Sequence, residues 1–458
     1  MKRDAIDLGT VNVFRLFRKI FIPTLLGMLS MSAVTAIDGA YVGHGIGSDG
    51  IAAINICIPL LMFFTGVGLM SGAGVSVVAS IQLSRGKEKA AQLNVSQALL
   101  FVTVIGLAVS VPVIIWPSET GRFLGASESL LPLVKEYIVW FAPSLLFQMW
   151  CSVCMFIVRL DGAPKLSMMC NVIAALVTVV LGFFLIFPLD TGIKGAGIAC
   201  SAGLLVGSLV GFVRIFCFPK ILRPHKLKWS VKSFRLTLRN LGYQCRIGSS
   251  ALLTEATMAM LMLVGNNVFM KYLGDNGVGA FGIVCYYMPF VYMVGNAIGQ
   301  SAQPIISYNF GLGYRHRVSM TEKIALMTAI VCGVIVTAIF TFFPELLVGL
   351  FINTENPAAQ IAVNGFPYFS LAYVFFILNL TIVGYYQSIE KVWPATILAL
   401  LRGFIFLIPS FMLLPELMGT KGIWLALCLS ELMTTAVAVV MYIWMHRTRI
   451  REKLAFSR

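Results

Sequence analysis

Charged residues are scarce in this chain. Only 12% of its 458 residues are Asp, Glu, Lys or Arg, whereas 59% are hydrophobic, and the mean hydropathy is +0.89. Soluble domains carry about 25% charged residues, so this composition excludes a soluble globular protein. Successive apolar runs separated by short polar turns predict a polytopic membrane protein. Its spans must be helices, because the bilayer core offers no water to satisfy the backbone.

Sequence motifs of catalysis and of metal binding are also missing. There is no GxxxxGK[ST] and no HExxH, and the four histidines are too far apart to form a ligand set. One Cys-x-x-Cys spacing occurs, at Cys151 and Cys154, but it lies inside an apolar run, as do most of the ten cysteines. We interpret them as small buried hydrophobic residues. We therefore expect no enzyme activity, no metal site and no cofactor other than a coupling ion.

Twelve apolar runs are long enough to cross a bilayer, which needs about 20 residues. They predict an all-α membrane protein with spans at roughly 18–41, 51–80, 92–116, 132–158, 166–187, 195–218, 247–270, 277–307, 324–343, 360–388, 393–414 and 422–445. The basic N-terminus leads into a run too long for a signal peptide, so we expect the first span to remain as an anchor.

The positive charge is distributed unevenly between the loops. If the N-terminus is cytoplasmic, the segments on that side hold 27 of the 34 Lys and Arg residues, and those on the other side hold 5. This bias predicts that both termini are cytoplasmic. It also explains the net charge of +15 without a nucleic-acid partner.

The sequence contains an internal repeat. A single offset of 227 residues pairs many residues of the two halves: Gly47 with Gly274, Gly50 with Gly277, Ala53 with Ala280, Gly68 with Gly295, Gly86 with Gly313, Pro117 with Pro344, Pro188 with Pro415 and Gly195 with Gly422. Each half holds six spans, so the halves enter the membrane in the same direction. They are predicted to be parallel repeats related by a pseudo-two-fold axis along the membrane normal.

The repeat suggests a division into two lobes. We predict an N-lobe at 1–219, a basic cytoplasmic linker at 220–246 that lies on anionic lipid, and a C-lobe at 247–458. Two like bundles that face each other across a cleft can give alternating access by rocking. This is the architecture of a transporter.

The sequence resembles the multidrug and toxic compound extrusion (MATE) family over essentially its whole length. The resemblance is carried by several segments in the same order along the chain: Pro23 with DGAYVG (38–43), GSDGIAA (47–53), RLDGAPK (159–165), GIKGAGIA (192–199), GQSAQPIISYNFGLG (299–313), YYQSIEK (385–391), LLRGFIFLIP (400–409) and GIWLAL (422–427). The resemblance implies an inner-membrane exporter that couples substrate exit to the inward movement of protons or sodium.

The chain departs from the family pattern in its first half. Where many relatives carry an asparagine and an aspartate in the fifth span, it has Thr178 and Gly182, and it has Cys200 where they carry a threonine in the sixth. Asp38 keeps its place while these partners are changed. Because a hard cation needs several oxygen ligands, the departures favour H⁺ over Na⁺.

Three carboxylates lie within the predicted spans and are the candidates for cation coupling: Asp38, Glu255 and Glu431. An acid in a span is normally paired, turned toward a cavity or used in function. For Asp38 we favour a protonation switch over a structural hydrogen bond. Glu255 lies one turn before the position of the family's glutamate, near Met258, and we favour cation binding there. Glu431 matches a position that is often acidic in the family, and coupling or pairing within the second-half bundle both remain open for it.

Pro23 and a set of polar residues complete the candidate site. Pro23 removes a backbone donor from the first span, so the helix could hinge there or hold a static kink. The residues that could line a substrate cleft, because aromatic faces attract organic cations, are Tyr286, Tyr287, Asn296, Gln300, Tyr386 and Gln387.

The function predicted from the sequence is a monomeric secondary antiporter, in contact with membrane lipid, that exports drug-like amphipathic cations in exchange for H⁺ or Na⁺. The alternative is a lipid-linked oligosaccharide flippase of related architecture. A pyrophosphate-carrying lipid would favour a more basic cavity than the three acids within these spans suggest. A membrane sensor or scaffold is a third possibility, against which the paired lobes argue.

Overall fold

The computed structural model describes residues 8–45, 48–124, 126, 128, 130–225, 230–350 and 355–456. Within these ranges the side chains at 31, 33–40, 42–45, 48–49, 51–52, 55, 275 and 445–456 lie outside the description, and that of Asp38 is among them.

The described residues form α-helices joined by short turns. In chain order the helices are α1 (Val13–Gly45), α2 (Ser48–Ser84), α3 (Glu88–Ile115), α4 (Pro117–Phe123), α5 (Leu131–Leu160), α6 (Pro164–Ile186), α7 (Ile193–Cys217), α8 (Val231–Gly311), α9 (Arg315–Phe342), α10 (Pro344–Gly349), α11 (Pro357–Ser388), α12 (Val392–Leu400), α13 (Leu407–Met418) and α14 (Thr420–Phe456). A π-helical turn at Leu401–Ile405 joins α12 to α13.

The helices match the predicted spans. Within the described part of the chain, eleven helical segments are long and apolar enough to cross a membrane, and α1 occupies the position of the remaining predicted span. The prediction of an all-α membrane protein is therefore confirmed. The segment Val231–Gly274 starts well before the predicted start at 247, so the second part of the basic linker is helical. Ser230 begins that helix, because its hydroxyl accepts a hydrogen bond from the Ser233 amide.

The two sequence repeats adopt the same local conformations. Gly192 and Gly419, which the 227-residue offset pairs, have φ of 62° and 61°, and each precedes a membrane helix. Gly86 and Gly313 form a second such pair, with φ of 69° and 78°. Positive φ is readily available only to glycine, so each repeat needs glycine at the same turn. Gly274, at φ 64°, divides the long helix α8.

The chain divides into two compact units. Unit 1 comprises Met1–Glu255, Gln300–Thr321 and Ser388–Glu390, and unit 2 comprises Ala256–Gly299, Glu322–Gln387 and Lys391–Arg458. In unit 1 the most buried membrane helix is α5, which packs against α2, α6 and α7. Gly68 and Gly72 of α2 lie directly against α5, since a Cβ at either position would meet Met149, Ser152 or Phe156. Small residues allow this close approach of two helices in a membrane.

Asp161 fixes the start of the linker within unit 1. Its carboxylate accepts hydrogen bonds from the backbone amides of Lys220, Ile221 and Leu222, at 3.0, 2.8 and 3.0 Å. It also forms an ion pair with Arg214 of α7, at 2.8 Å. One buried acid thus joins the ends of α5 and α7 to the segment that leads into the second half of the sequence.

Arg317 fixes the chain before α1 to the same unit. Its guanidinium donates to the carbonyls of Leu8 (3.1 Å) and Val11 (2.7 Å) and to Oδ1 of Asn309 (3.0 Å). Asn309 in turn donates to the Leu8 carbonyl, at 2.9 Å. The segment 8–11 is therefore bound to the end of α8 and the start of α9.

Unit 2 is built around aromatic contacts. Tyr287 of α8, Phe340 of α9 and Phe366 and Tyr373 of α11 form a cluster with ring centroids 5.1 to 6.2 Å apart. The Tyr287 hydroxyl donates to the Leu347 carbonyl of α10, at 2.9 Å. These contacts hold α8, α9, α10 and α11 together.

Candidate functional site

Pro23 lies inside α1, as the sequence predicts. It cannot donate to the Lys19 carbonyl one turn earlier, which weakens the helix locally. The next residue, Thr24, is buried, and its hydroxyl has no hydrogen-bond partner among the described atoms. Gly27 lies against Met168 of α6. This side of α1 therefore packs on α6 close to the missing hydrogen bond.

Asp38 belongs to the helical part of α1, but its side chain lies outside the described residues. Its role as the coupling acid stays a prediction. The residues that replace the family's partners can be placed in part. The Thr178 hydroxyl donates to the Ala174 carbonyl of its own helix, at 2.9 Å, and it packs on Gly203 of α7. Gly182 is buried and Cys200 is half-buried.

Glu255 is a buried acid of α8 within unit 1. The Cβ and Cγ atoms of its side chain lie against Gly66 of α2, at 3.4 and 3.6 Å from where a Cβ of residue 66 would stand. Leu252, one turn earlier, contacts the same glycine. Because Gly66 has no side chain, the side chain of Glu255 fits between α2 and α8.

Glu431 lies in a fully buried ionic network of unit 2. Its Oε1 is 2.9 Å from Nη2 and 3.2 Å from Nε of Arg402. Its Oε2 accepts a hydrogen bond from Asn379 at 2.7 Å, and Asn379 Oδ1 accepts one from Thr435 at 3.0 Å. The Arg402 guanidinium also lies 4.4 Å from the centroid of the Phe376 ring. Glu431 is thus paired within the second-half bundle, which is one of the two roles that the sequence left open. A coupling role stays a prediction.

The π-helical turn helps to place Arg402. Arg402 belongs to that turn, where one extra residue changes the direction of the side chains that follow. Gly403, next along the turn, packs on Thr257 of α8. The irregular turn lets a basic side chain reach Glu431 and Phe376 while the helix stays close to α8.

The predicted cleft residues have different environments. Tyr286 is 57% exposed, Asn296 is half-buried, and Tyr386 and Gln387 are buried. Tyr287 belongs to the aromatic cluster of unit 2. Gln300 lies in unit 1, where its Oε1 accepts a hydrogen bond from Arg159, at 3.0 Å. Their role in substrate binding stays a prediction.

One acid escaped the sequence analysis. Glu322 lies two turns into α9, and its carboxylate lies near the side chain of Tyr385 in α11. The predicted span began at 324, so Glu322 counted as a loop residue. The sequence did carry a signal. Tyr385 and Tyr386 lie at the end of the tenth predicted span, on the same side of the membrane as the start of the ninth, where Glu322 lies.

Comparisons with known proteins agree on one family. The model of the MatE family matches residues 23–184 and again residues 251–412. The chain is 23% identical over 444 residues to the multidrug export protein MepA of Staphylococcus saprophyticus, covering 96% of this chain and 95% of that protein. The second match starts and ends close to where the 227-residue offset places it.

Solved structures share the fold over the full chain. A structure described as the outward-facing conformation of a multidrug resistance MATE family transporter of the MOP superfamily has a TM-score of 0.86 at 18% identity, covering 98% of each chain. A MATE structure in the bent conformation has a TM-score of 0.85 at 18% identity, covering 99% of this chain and 100% of that one.

Proposed function

Because the chain belongs to the MATE family of transporters, we propose that it is a secondary multidrug efflux antiporter for amphipathic cations, driven by H⁺ or Na⁺. The observation that carries this proposal is the double match of the family model, once in each half of a chain that aligns end to end with a multidrug export protein. The flippase alternative is not favoured, because the relatives found are multidrug exporters.

The coupling step is assigned to Asp38. A carboxyl group within a span gains a proton more readily than one in water, because burial disfavours its charged form. Asp38 can thus hold a proton from one side of the membrane and release it to the other.

The environment of the altered positions supports protons as the coupling ion. Thr178 donates its hydroxyl to its own helix and packs against Gly203, and Gly182 carries no oxygen ligand in its side chain. A sodium site built from several side-chain oxygens would lack one at position 182. A proton needs only the carboxylate of Asp38.

The proposed cycle links protonation to bending of α1. Asp38 takes a proton from the side that faces away from the cytoplasm, α1 bends at Pro23, and the cavity in the first half becomes smaller and expels the substrate. A structural relative is known in a bent conformation, which supports bending as a motion available to this fold. Glu255 contributes to binding the cation, since it is a buried acid between α2 and α8.

The membrane arrangement is part of the proposal. The bias of Lys and Arg residues supports cytoplasmic termini. We assign the protein to a bacterial inner membrane as a lipid-embedded monomer. The basic linker then faces the anionic inner leaflet.

Transport in vesicles tests the function and its coupling ion together. Everted vesicles that contain the protein should accumulate ethidium when a proton gradient is imposed, and a sodium gradient alone should have little effect. Vesicles without the protein are the control. Failure to accumulate ethidium, tetraphenylphosphonium or any other cationic dye under either gradient would refute the antiporter.

A further inference from the structure

We propose that the helical segment 231–246, at the start of α8, lies in the interface of the cytoplasmic leaflet and binds the headgroups of acidic phospholipids. This segment is the second part of the basic linker. The inference deepens the proposed membrane arrangement, on which it rests, by assigning individual side chains to the contact with lipid.

One face of the segment is bound to α3, which belongs to the same unit. Gln97 of α3 donates a hydrogen bond to the Thr237 hydroxyl at 3.0 Å and accepts one from the Asn240 amide at 3.1 Å. Asn94, one turn earlier in α3, accepts a hydrogen bond from Gln244 at 2.8 Å. Residues three and four apart lie on the same side of a helix, so these bonds fix which side of the segment faces the protein.

The same bonds indicate that the segment crosses α3 instead of running alongside it. From Thr237 to Gln244 the segment advances by about 10 Å, whereas its partners in α3 shift by only about 4.5 Å, from Gln97 to Asn94. Because α3 spans the membrane, a helix that crosses it lies closer to the plane of the bilayer.

The depth of the crossing corresponds to the membrane interface. Helix α3 starts at Glu88, on the side that the charge bias assigns to the cytoplasm, and its 28 residues give about 42 Å of helix. The hydrocarbon core is about 30 Å thick, so each end of α3 extends beyond it. The bonds to Asn94 and Gln97 lie within about 14 Å of the start of α3. The crossing therefore falls near the boundary between headgroups and acyl chains.

The exposed side of the segment carries an apolar stripe and, next to it, a basic row. The stripe is Val231, Phe234 and Leu238, which are 71%, 64% and 55% exposed and project within about 60° of one another on a regular helix. The side chains of the basic row are also exposed and project within about 60° of one another; they are Lys232, Arg235, Arg239 and Arg246. Among the described side chains, none of these four forms an ion pair with an Asp or Glu. The row is thus available to an anionic partner.

This combination matches the surface of an anionic membrane. A helix with an apolar stripe beside basic residues lies in the interface, where the stripe contacts acyl chains and the basic groups contact headgroups. Guanidinium groups such as those of Arg235 and Arg239 bind phosphate through paired hydrogen bonds. A nucleic acid would use the basic row but would leave Phe234 and Leu238 in water, so a phospholipid accounts for both parts of the exposed side.

The test compares the binding of phosphatidylglycerol and phosphatidylcholine to the purified full chain in detergent, measured by native mass spectrometry. The unmodified chain should bind the acidic lipid more tightly. The double variant Arg235→Gln/Arg239→Gln should weaken phosphatidylglycerol binding about tenfold and leave phosphatidylcholine binding unchanged. The matched control Lys165→Gln/Arg315→Gln removes two exposed basic groups from other helices and should bind both lipids like the unmodified chain.

A second double variant tests the apolar stripe. Phe234→Ser/Leu238→Ser should weaken the binding of both lipids several-fold, because acyl chains do not depend on the headgroup. All the substituted side chains are exposed, so we expect each variant to fold, and thermal unfolding checks this.

Four results would overturn the site. They are equal binding of the two lipids by the unmodified chain, unchanged phosphatidylglycerol binding by Arg235→Gln/Arg239→Gln, an equal loss in the control pair, and no effect of the apolar double variant on either lipid. Because lipid binding needs neither a gradient nor a substrate, a chain that prefers phosphatidylglycerol but exports nothing would refute only the antiporter.

Discussion

The two halves of this protein share a backbone frame but differ in their buried charges. Gly192 and Gly419 occupy the same turn with nearly the same φ, and in both turns an amide bonds the carbonyl of that glycine, from Gly195 at 3.1 Å and from Gly422 at 3.0 Å. The repeat therefore extends to individual hydrogen bonds.

The charges do not follow that repeat. The offset places Ala175 where the second half has Arg402, and Leu204 where it has Glu431, and both of these first-half residues are buried and apolar. In the other direction Gly265 stands where the first half has Asp38. The second half thus encloses a neutralised ion pair, and the first half carries the acid that we assign to coupling. The difference separates a charge that holds a bundle together from one that we propose to gain and lose a proton.

The most direct test of this difference between the halves is Asp38→Asn. The substitution keeps the shape of the side chain but removes its ability to gain and lose a proton. We expect ethidium efflux from cells to fall to the level of cells without the protein, with normal membrane insertion. Glu119→Gln, at an exposed acid of α4, should export like the unmodified chain. Full efflux by Asp38→Asn would show that a group other than Asp38 couples transport to the ion gradient.

The second test concerns the ion pair of the other half. Arg402→Ala should destabilise the folded protein by about 3–5 kcal/mol, because it leaves the Glu431 carboxylate buried without its partner. Replacing both residues with leucine, as in the first half's apolar positions, should recover most of that loss. Thermal unfolding in detergent measures both variants. A small cost for Arg402→Ala would contradict a closed, dry network.

The same double variant tests whether Glu431 takes part in coupling. If the pair only holds α11, the π-helical turn and α14 together, the folded double-leucine variant should still export ethidium under a proton gradient. Loss of efflux by a folded variant would instead assign Glu431 a coupling role.

Because both halves contain the same glycine turn, the same substitution in each turn should destabilise the protein equally. Gly192→Ala and Gly419→Ala should each cost about 1–3 kcal/mol, because each forces a side chain into positive φ. Gly242→Ala, within α8 and with no atom within 4 Å of the added Cβ, should be neutral or stabilising by up to about 1 kcal/mol. Thermal unfolding compares all three. A large difference in stability between the first two variants would show that the two turns contribute unequally to the stability of the fold.

The smallest effect is expected for Glu255→Gln. The amide keeps the contact with Gly66 but removes the charge, so resistance to cationic compounds should fall a few-fold, by about 1 kcal/mol of binding or less. Drug-susceptibility profiles measure the change, with Glu345→Gln at an exposed acid of α10 as control. Equal resistance to every compound tested would remove Glu255 from the site.

Much of the fold could be predicted from sequence, because its signals are local. Apolar runs of sufficient length gave the helices, and glycines at a constant offset gave the repeat. The candidate site was harder to predict. Glu322 was missed because the predicted span began at 324, whereas α9 begins at Arg315, and no sequence pattern chose between pairing and coupling for Glu431. The proposed role of Asp38 rests on helix position and family resemblance.

The amino-acid sequence by itself determined that this chain forms membrane helices in two similar halves, because hydrophobic length and glycine turns act within a few residues. Only the tertiary structure decided which buried charges are neutralised. Arg402 reaches Glu431 through the rotation and packing of helices distant in sequence. A charge in a low-dielectric interior depends on neighbours within a few ångströms, and these are set by the fold and not by the order of residues.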